Sequence, residues 1–130
     1  MTTQIGNLTQ PVELRFTASG RAVLSNTLAV NRRYQVNGEW QEQTTFIPIT
    51  LWGPLAENFA ASCDKGTRVW VTGHFEPWEY ENENRKVQSL KLIAYDAGIS
   101  LQKARATVER VVTTKPVVPA QVLEDESDVF

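Results

Sequence analysis

The stretch TTFIPITLWGPLAENFAASCDKG, residues 44–66, contains the change of hydrophobic period that decides the fold. Up to Trp52, aliphatic side chains recur at every second position, which predicts a half-buried strand. After Gly53-Pro54 the apolar side chains recur at the spacing of one helix face. Lys65-Gly66 then provides the base and the glycine that commonly end a helix. The segment therefore predicts a strand, a tight turn and one short helix.

On both sides of this segment the chain consists of short alternating runs separated by turn residues. Residues 22–30 and 67–75 place apolar side chains at alternate positions, and residues 87–95 do so less cleanly. Asn37-Gly38 is a common two-residue hairpin turn. Short strands with a single intervening helix predict an all-β domain over residues 1–105, a small barrel with the helix closing one end.

Composition limits the classes of protein that are possible. The 130 residues include 42% hydrophobic side chains, enough for the core of one domain. A single cysteine excludes an intramolecular disulfide framework, and with a single histidine it leaves most metal sites without ligands, so we expect no cofactor and no metal. No apolar run approaches the roughly 20 residues that cross a bilayer. The polar start predicts no signal peptide, so we expect a cytoplasmic, nucleoid-associated protein with no membrane partner.

The net charge of −2 combines two segments of opposite sign. Residues 1–123 hold 13 basic and 11 acidic side chains, whereas residues 124–130 hold four acidic side chains and no basic one. Residues 106–123 have no clear period and contain two prolines, which predicts an extended linker. The domain itself is slightly basic, and its charge is compatible with a nucleic-acid partner.

Aromatic side chains occupy the strand parity that the aliphatic core does not use. Phe46 and Trp52 alternate with aliphatic residues and should point to the opposite face. In the strand predicted over residues 67–75, Val69 and Phe75 should face the core, and Trp70 should point to the other face. Trp78 and Tyr80 have the same parity as Trp70.

Two explanations of these rings remain open at the sequence level. The rings cover a second core or a subunit interface, or they form a stacking platform for unpaired bases. Basic residues near the rings favour the platform, because cations contact phosphates. Four carboxylates within residues 76–83 weaken it, unless they point away from the rings. The cations predicted to contact phosphates are Arg15, Arg32, Arg33, Arg85, Lys86 and Lys91.

Several short motifs, in order, resemble the bacterial-type single-stranded DNA-binding protein family, which includes phage-encoded members. They are Ile5-Gly6-Asn7-Leu8, Asn26-Thr27-Leu28-Ala29-Val30, Leu51-Trp52-Gly53 and Lys65-Gly66-Thr67-Arg68-Val69. The resemblance covers about four-fifths of the chain. It implies an OB-fold, a five-stranded Greek-key barrel. It also implies sequence-independent binding of single-stranded DNA, usually by homotetramers, in replication, recombination and repair.

Carried over by position, the family's stacking rings correspond to Tyr34, Phe46, Trp52 and Tyr80, with Trp78 two residues from the last of them. The family also ends in an acidic segment that docks on replication and repair proteins, and here Val129 replaces the usual proline. The residues predicted to contact such partners are Glu124, Asp125, Glu126, Asp128, Val129 and Phe130.

Two other functions are alternatives to DNA binding: an OB-fold protein-interaction module such as a primosomal accessory protein, and an RNA-binding OB domain. An enzyme is not predicted. His74 has no partners at a spacing that completes a catalytic set, and Cys63 is expected to be a small buried side chain. A glycine-rich phosphate loop does not occur in the sequence.

Overall fold

The computed structural model describes residues 1–112, so the acidic segment 124–130 and most of the predicted linker lie outside the described residues. Residues 100–112 contain no helix or strand, and the domain boundary at residue 105 stays a prediction. The elements are β1 (Thr2–Leu8), β2 (Leu14–Phe16), β3 (Ala22–Val36), β4 (Glu39–Trp52), α1 (Pro54–Ser62), β5 (Arg68–Asn82) and β6 (Arg85–Ile99).

Five of these strands close into a barrel. β1, β5, β6, β4 and β3 are hydrogen-bonded in that order, and β1 also pairs with β3, which closes the ring. The short β2 adds to the other side of β3. β4 and β6 pair in parallel and the other pairs are antiparallel. This order confirms the predicted OB-fold.

The strands on either side of the two hairpin turns are longer than the sequence pattern predicts. Asn37 and Gly38 both have positive φ, 53° and 82°, as the predicted two-residue turn requires. Glu83 and Asn84, with φ of 52° and 64°, make an equivalent turn between β5 and β6. The outer parts of these hairpins are exposed on both faces, which removes the apolar alternation that marks a strand in sequence.

The barrel interior is filled by aliphatic side chains from every strand of the ring, and α1 closes one end. Ala56 and Phe59 of α1 are buried against this core. Gly53 precedes the helix with φ 66°, and Pro54 occupies its first turn, where a missing N–H costs nothing. The fully buried strand side chains are Leu8, Leu24, Leu28, Ile49, Leu51, Val69, Val71 and Leu92.

Two predictions about this core are wrong in detail. Phe75 is 39% exposed, because the pairing of β5 with β1 ends at Gly73 and leaves this part of β5 without a strand on that side. The helix ends at Ser62, three residues before Lys65. Cys63 leaves the helix in extended backbone and its side chain is buried in the core, while Gly66, with φ 92°, belongs to the following turn.

Asn26, the polar exception in the alternating run of β3, is buried, and both its Nδ2 and its Oδ1 make hydrogen bonds. Its Nδ2 donates to the Gln10 carbonyl at 3.1 Å, and its Oδ1 accepts the backbone N–H groups of Gln10 at 3.3 Å and Thr27 at 2.8 Å. A buried amide satisfied in this way stabilises one backbone arrangement. The hydrogen bonds between Asn26 and Gln10 join the segment before β2 to β3.

Candidate nucleic-acid interface

The strand register assigns the aromatic side chains to faces of the sheet. Leu24 is opposite Leu51, and Ile49 is opposite Leu92, so these positions define the core side of β3, β4 and β6. Positions of the other parity lie on the side away from the core. We call the latter, across β2, β3 and β4 and the hairpin part of β5 and β6 (residues 76–91), the outer face. Phe46 and Trp52 both belong to it, as the sequence predicts.

Trp52 lies at the end of β4, where it is only partly buried and is paired across the sheet with Val23. The guanidinium carbon of Arg21 lies 4.3 Å from the centre of the Trp52 ring, which is a cation–π contact. Sequence reasoning did not select Arg21, because 31 residues separate it from Trp52. The strand register alone brings the two side chains together.

A cleft of about 290 Å³ opens on the same face, next to Trp52 along β4. Pro48 and Thr50 of β4 line it, together with Trp78 and Lys91 of the other hairpin. The Nε1 of Trp78 is buried and has no hydrogen-bond partner among residues 1–112. The remaining lining residues are Gln10, Ser25, Asn26, Thr27 and Ile49. Polar groups, one ring and one cation therefore surround a space open to solvent.

The register of the β5–β6 hairpin shows which of its carboxylates share a face with the rings. Trp78 and Tyr80 lie side by side on the outer face, with ring centres 4.9 Å apart. Glu79 and Glu81 have the opposite parity and therefore point away from those rings. Glu76 shares the ring face, but its Oε2 lies 2.8 Å from Nε2 of His74.

The β3–β4 hairpin divides its rings between the two faces. Trp40 shares the outer face with Phe46, and both are well exposed, at 62% and 64%. Arg33 lies 5.0 Å from the centre of the Trp40 ring. Tyr34 has the parity of the core residues, and the guanidinium carbon of Arg32 lies 5.2 Å from the centre of its ring. The structure thus brings Phe46 and Trp52 together on one face and places Tyr34 on the other.

The other predicted contact residues are more widely spread. Arg15 is exposed on β2 opposite Val23, and its guanidinium lies 3.5 Å from the Glu13 carboxylate. Arg85 and Lys86 begin β6 at the hairpin end, on alternating faces, and Lys86 is opposite Glu81.

Trp70 lies apart from the outer-face rings, between Ile5 of β1 and Gly98 of β6. Trp78 is eight positions further along β5. At about 3.3 Å per residue, that separation is about 26 Å along an extended strand. Trp70 is therefore the one predicted ring residue that lies beside β1 instead of near the cleft.

A second and larger groove, of about 810 Å³, lies between α1 and the segment after β6. Its walls include Asn58 and Ser62 of α1 and Arg105 and Val111 of that segment, and none of the described aromatic side chains lines it. Successive bases stack best on aromatic rings, so the outer face is better suited than this groove to unpaired bases.

Burial, and to a lesser degree the charge of Asp64, raises the pKa of the Cys63 thiol to about 11, so the group stays protonated at neutral pH. Within residues 1–112, no three side chains of the metal-ligating types come together. The helices described there include none with the length and apolar character needed to span a bilayer.

The closed barrel and the outer face together define an OB-fold protein whose exposed rings and cations suit single-stranded nucleic acid. The sequence model described as "Single-strand binding protein family" matches residues 2–100. The chain belongs to this family.

Individual relatives agree with the family match. A single-stranded DNA-binding protein of Paenarthrobacter aurescens is 42% identical over 112 residues, which cover 83% of this chain and 66% of the relative. Single-stranded DNA-binding protein B of Bacillus subtilis is 42% identical over 79 residues, or 61% of this chain and 69% of that protein. The chain thus spans about two thirds of the length of these relatives.

Solved structures show the same fold. The small single-stranded DNA-binding protein of Streptomyces coelicolor superposes with a TM-score of 0.70 at 25% identity, covering 79% of this chain and 95% of that one. A Plasmodium falciparum protein solved in complex with single-stranded DNA has a TM-score of 0.66 at 18% identity, covering 75% and 89%. The second comparison concerns the fold alone.

Proposed function

We propose that this chain binds single-stranded DNA through the outer face without reading its sequence, and that it acts by binding alone, with no chemical step. The observation that carries the proposal is that Phe46, Trp52 and Trp78 lie on one face of the sheet without being sealed into the core. Each base stacked on such a ring contributes about 1–3 kcal/mol, and every base has a π-face.

Cations accompany these rings, and we propose that they contact phosphates. Lys91 lines the cleft beside Trp78, Arg21 lies over Trp52, and Arg33 lies over Trp40. Neutralising phosphates releases counterions, so affinity falls as salt rises. The carboxylates of Glu79 and Glu81 do not oppose this attraction directly, because they point to the other face.

The cations beside the rings favour DNA binding over a protein-interaction module, because cations contact phosphates and rings stack on bases. The proposed role is to protect single-stranded DNA during replication, recombination and repair, in the nucleoid. A family resemblance further supports a homotetramer. Ile5, at 45% exposed, and Tyr95, at 56% exposed, are apolar side chains available for subunit contacts.

The acidic segment 124–130 is proposed to recruit replication and repair proteins. The support is its sequence, four carboxylates with a terminal phenylalanine, because acidic peptides are steered to basic surfaces. Deleting residues 124–130 should leave affinity for DNA intact or raised, while binding to a replication or repair protein is lost.

The proposal is tested by titrating the full chain with oligo-dT and following tryptophan fluorescence at several salt concentrations. We expect quenching, and an affinity that falls linearly on logarithmic axes as salt rises. Matched double-stranded DNA and oligo-U serve as comparison ligands. Binding to the duplex as tight as to oligo-dT, or no quenching by any single strand, would contradict the proposal, and tighter binding of oligo-U would indicate an RNA partner.

A further inference from the structure

Arg21 is held in place by its backbone. Its carbonyl accepts the N–H of Thr17 at 2.9 Å, and its own N–H donates to the Thr17 hydroxyl at 3.1 Å. The neighbouring Ala22 carbonyl accepts the N–H of Gly53, directly after Trp52, at 2.9 Å. These bonds join the turn before β3 to the end of β4, so the closeness of Arg21 and Trp52 follows from the backbone as well as from side-chain rotamers.

Within residues 1–112, no carboxylate pairs with the charge of Arg21. Among the residues that the structure describes, the ion pairs are Arg15 with Glu13 and His74 with Glu76, and Arg21 takes part in neither. Its contact is with the Trp52 ring, at 4.3 Å. A guanidinium on a ring keeps its in-plane N–H donors free, and those donors match phosphate oxygens.

From this geometry we infer that Arg21 and Trp52 act as one DNA-binding unit, in which the ring stacks a base and the guanidinium contacts the adjacent phosphate. The inference rests on the proposed function and adds a residue to it. Guanidinium planes also stack on bases, so the guanidinium that covers one side of the indole is itself a stacking surface. Since the indole orients the guanidinium, removing either side chain weakens the contribution of the other.

The test is a double-mutant cycle with the full chain and oligo-dT: Arg21→Ala, Trp52→Ala and the double variant, each measured across a salt series. Arg21→Ala should weaken binding about five-fold in the wild-type background. Loss of one phosphate contact should also reduce the magnitude of the salt slope by about 0.7. In the Trp52→Ala background, the same change should weaken binding less than two-fold.

Two further variants give the cycle its controls. Lys65→Ala removes an exposed cation from the loop after α1, and we expect affinity and salt slope to stay at wild-type values. Arg21→Lys keeps the charge but loses the flat group, so the salt slope should be restored while coupling to Trp52 is not. Thermal melting by circular dichroism checks that each variant is folded.

The outcomes separate this inference from the proposed function. If wild type fails to bind oligo-dT, the proposed function fails. If wild type binds, but Arg21→Ala keeps wild-type affinity and slope, or its effect is the same with and without Trp52, then the joint unit is wrong and the general proposal stands.

Discussion

At the scale of single residues, exposure alone does not distinguish a binding ring from an ordinary surface ring. Phe46 is 64% exposed and Phe16 is 61% exposed, yet they differ in position. Phe46 shares the outer face with Trp52, whereas Phe16 is opposite Ala22, on the core side of the short β2. The two residues form a matched pair in which only position in the sheet differs.

We predict that Phe46→Ala weakens binding of oligo-dT by about 1–3 kcal/mol, because a stacked base loses its partner. Phe16→Ala should leave affinity unchanged, since that ring is off the outer face. Fluorescence titration of both variants checks the prediction. Equal losses would mean that these phenylalanines act through general surface effects, and the stacking assignment at Phe46 would be wrong.

The raised pKa of the Cys63 thiol leads to a prediction about the stability of the fold. Burial raises the pKa of its thiol from 9.0 to about 11 in the folded chain. Below pH 9 the thiol is protonated in the folded and unfolded states, and its contribution is constant. Between pH 9 and pH 11 the unfolded chain loses the proton first, so the folded state becomes less stable as pH rises.

The expected result is that wild type loses thermal stability more steeply than Cys63→Ala between pH 9 and pH 11, with parallel curves at lower pH. Comparing the two proteins removes the contribution of lysines and tyrosines that titrate in the same range. Parallel melting curves throughout would show that the thiol is not shielded in the folded protein.

At the scale of elements, the two-residue period predicted the faces of β4 correctly. Phe46 and Trp52 are opposite the aliphatic core, and the Asn37-Gly38 turn is where the sequence places it. Both features are local, because they depend on neighbouring side chains and on a backbone that accepts positive φ. Local patterns of this kind are readable from the sequence alone.

Other features of the same elements required the three-dimensional register. Phe75 follows the core parity of β5 but is exposed, because nothing in the sequence marks where a strand leaves the barrel. Tyr34 and Phe46 lie on opposite faces, a relation fixed by the pairing of β3 with β4. The contact of Arg21 with Trp52 depends on the same pairing.

The alternation in the β5–β6 hairpin leads to a prediction about its acidic residues. We expect Glu79→Gln with Glu81→Gln to change affinity for oligo-dT less than about two-fold at 0.15 M salt, since these carboxylates point away from the rings and are screened by solvent. Lys91→Gln on the cleft side should weaken binding several-fold at the same salt concentration. A large gain in affinity from the double glutamine variant would show that these acids do repel the DNA.

At the scale of the whole molecule, one closed barrel carries two different ring environments. The outer face near the cleft holds Trp52 and Trp78, together with Trp40 on the hairpin. Trp70 lies beside β1, about 26 Å from Trp78 along β5. The four tryptophans of the chain therefore report separately on the proposed DNA face and on the rest of the surface.

The most direct measurement follows the four indole N–H resonances by NMR during titration with oligo-dT, with assignments from single Trp→Phe variants. We predict large shifts for Trp52 and Trp78, a smaller one for Trp40, and the smallest for Trp70. If Trp70 shifts most while Trp52 and Trp78 stay unchanged, single-stranded DNA does not bind the outer face and the account is wrong.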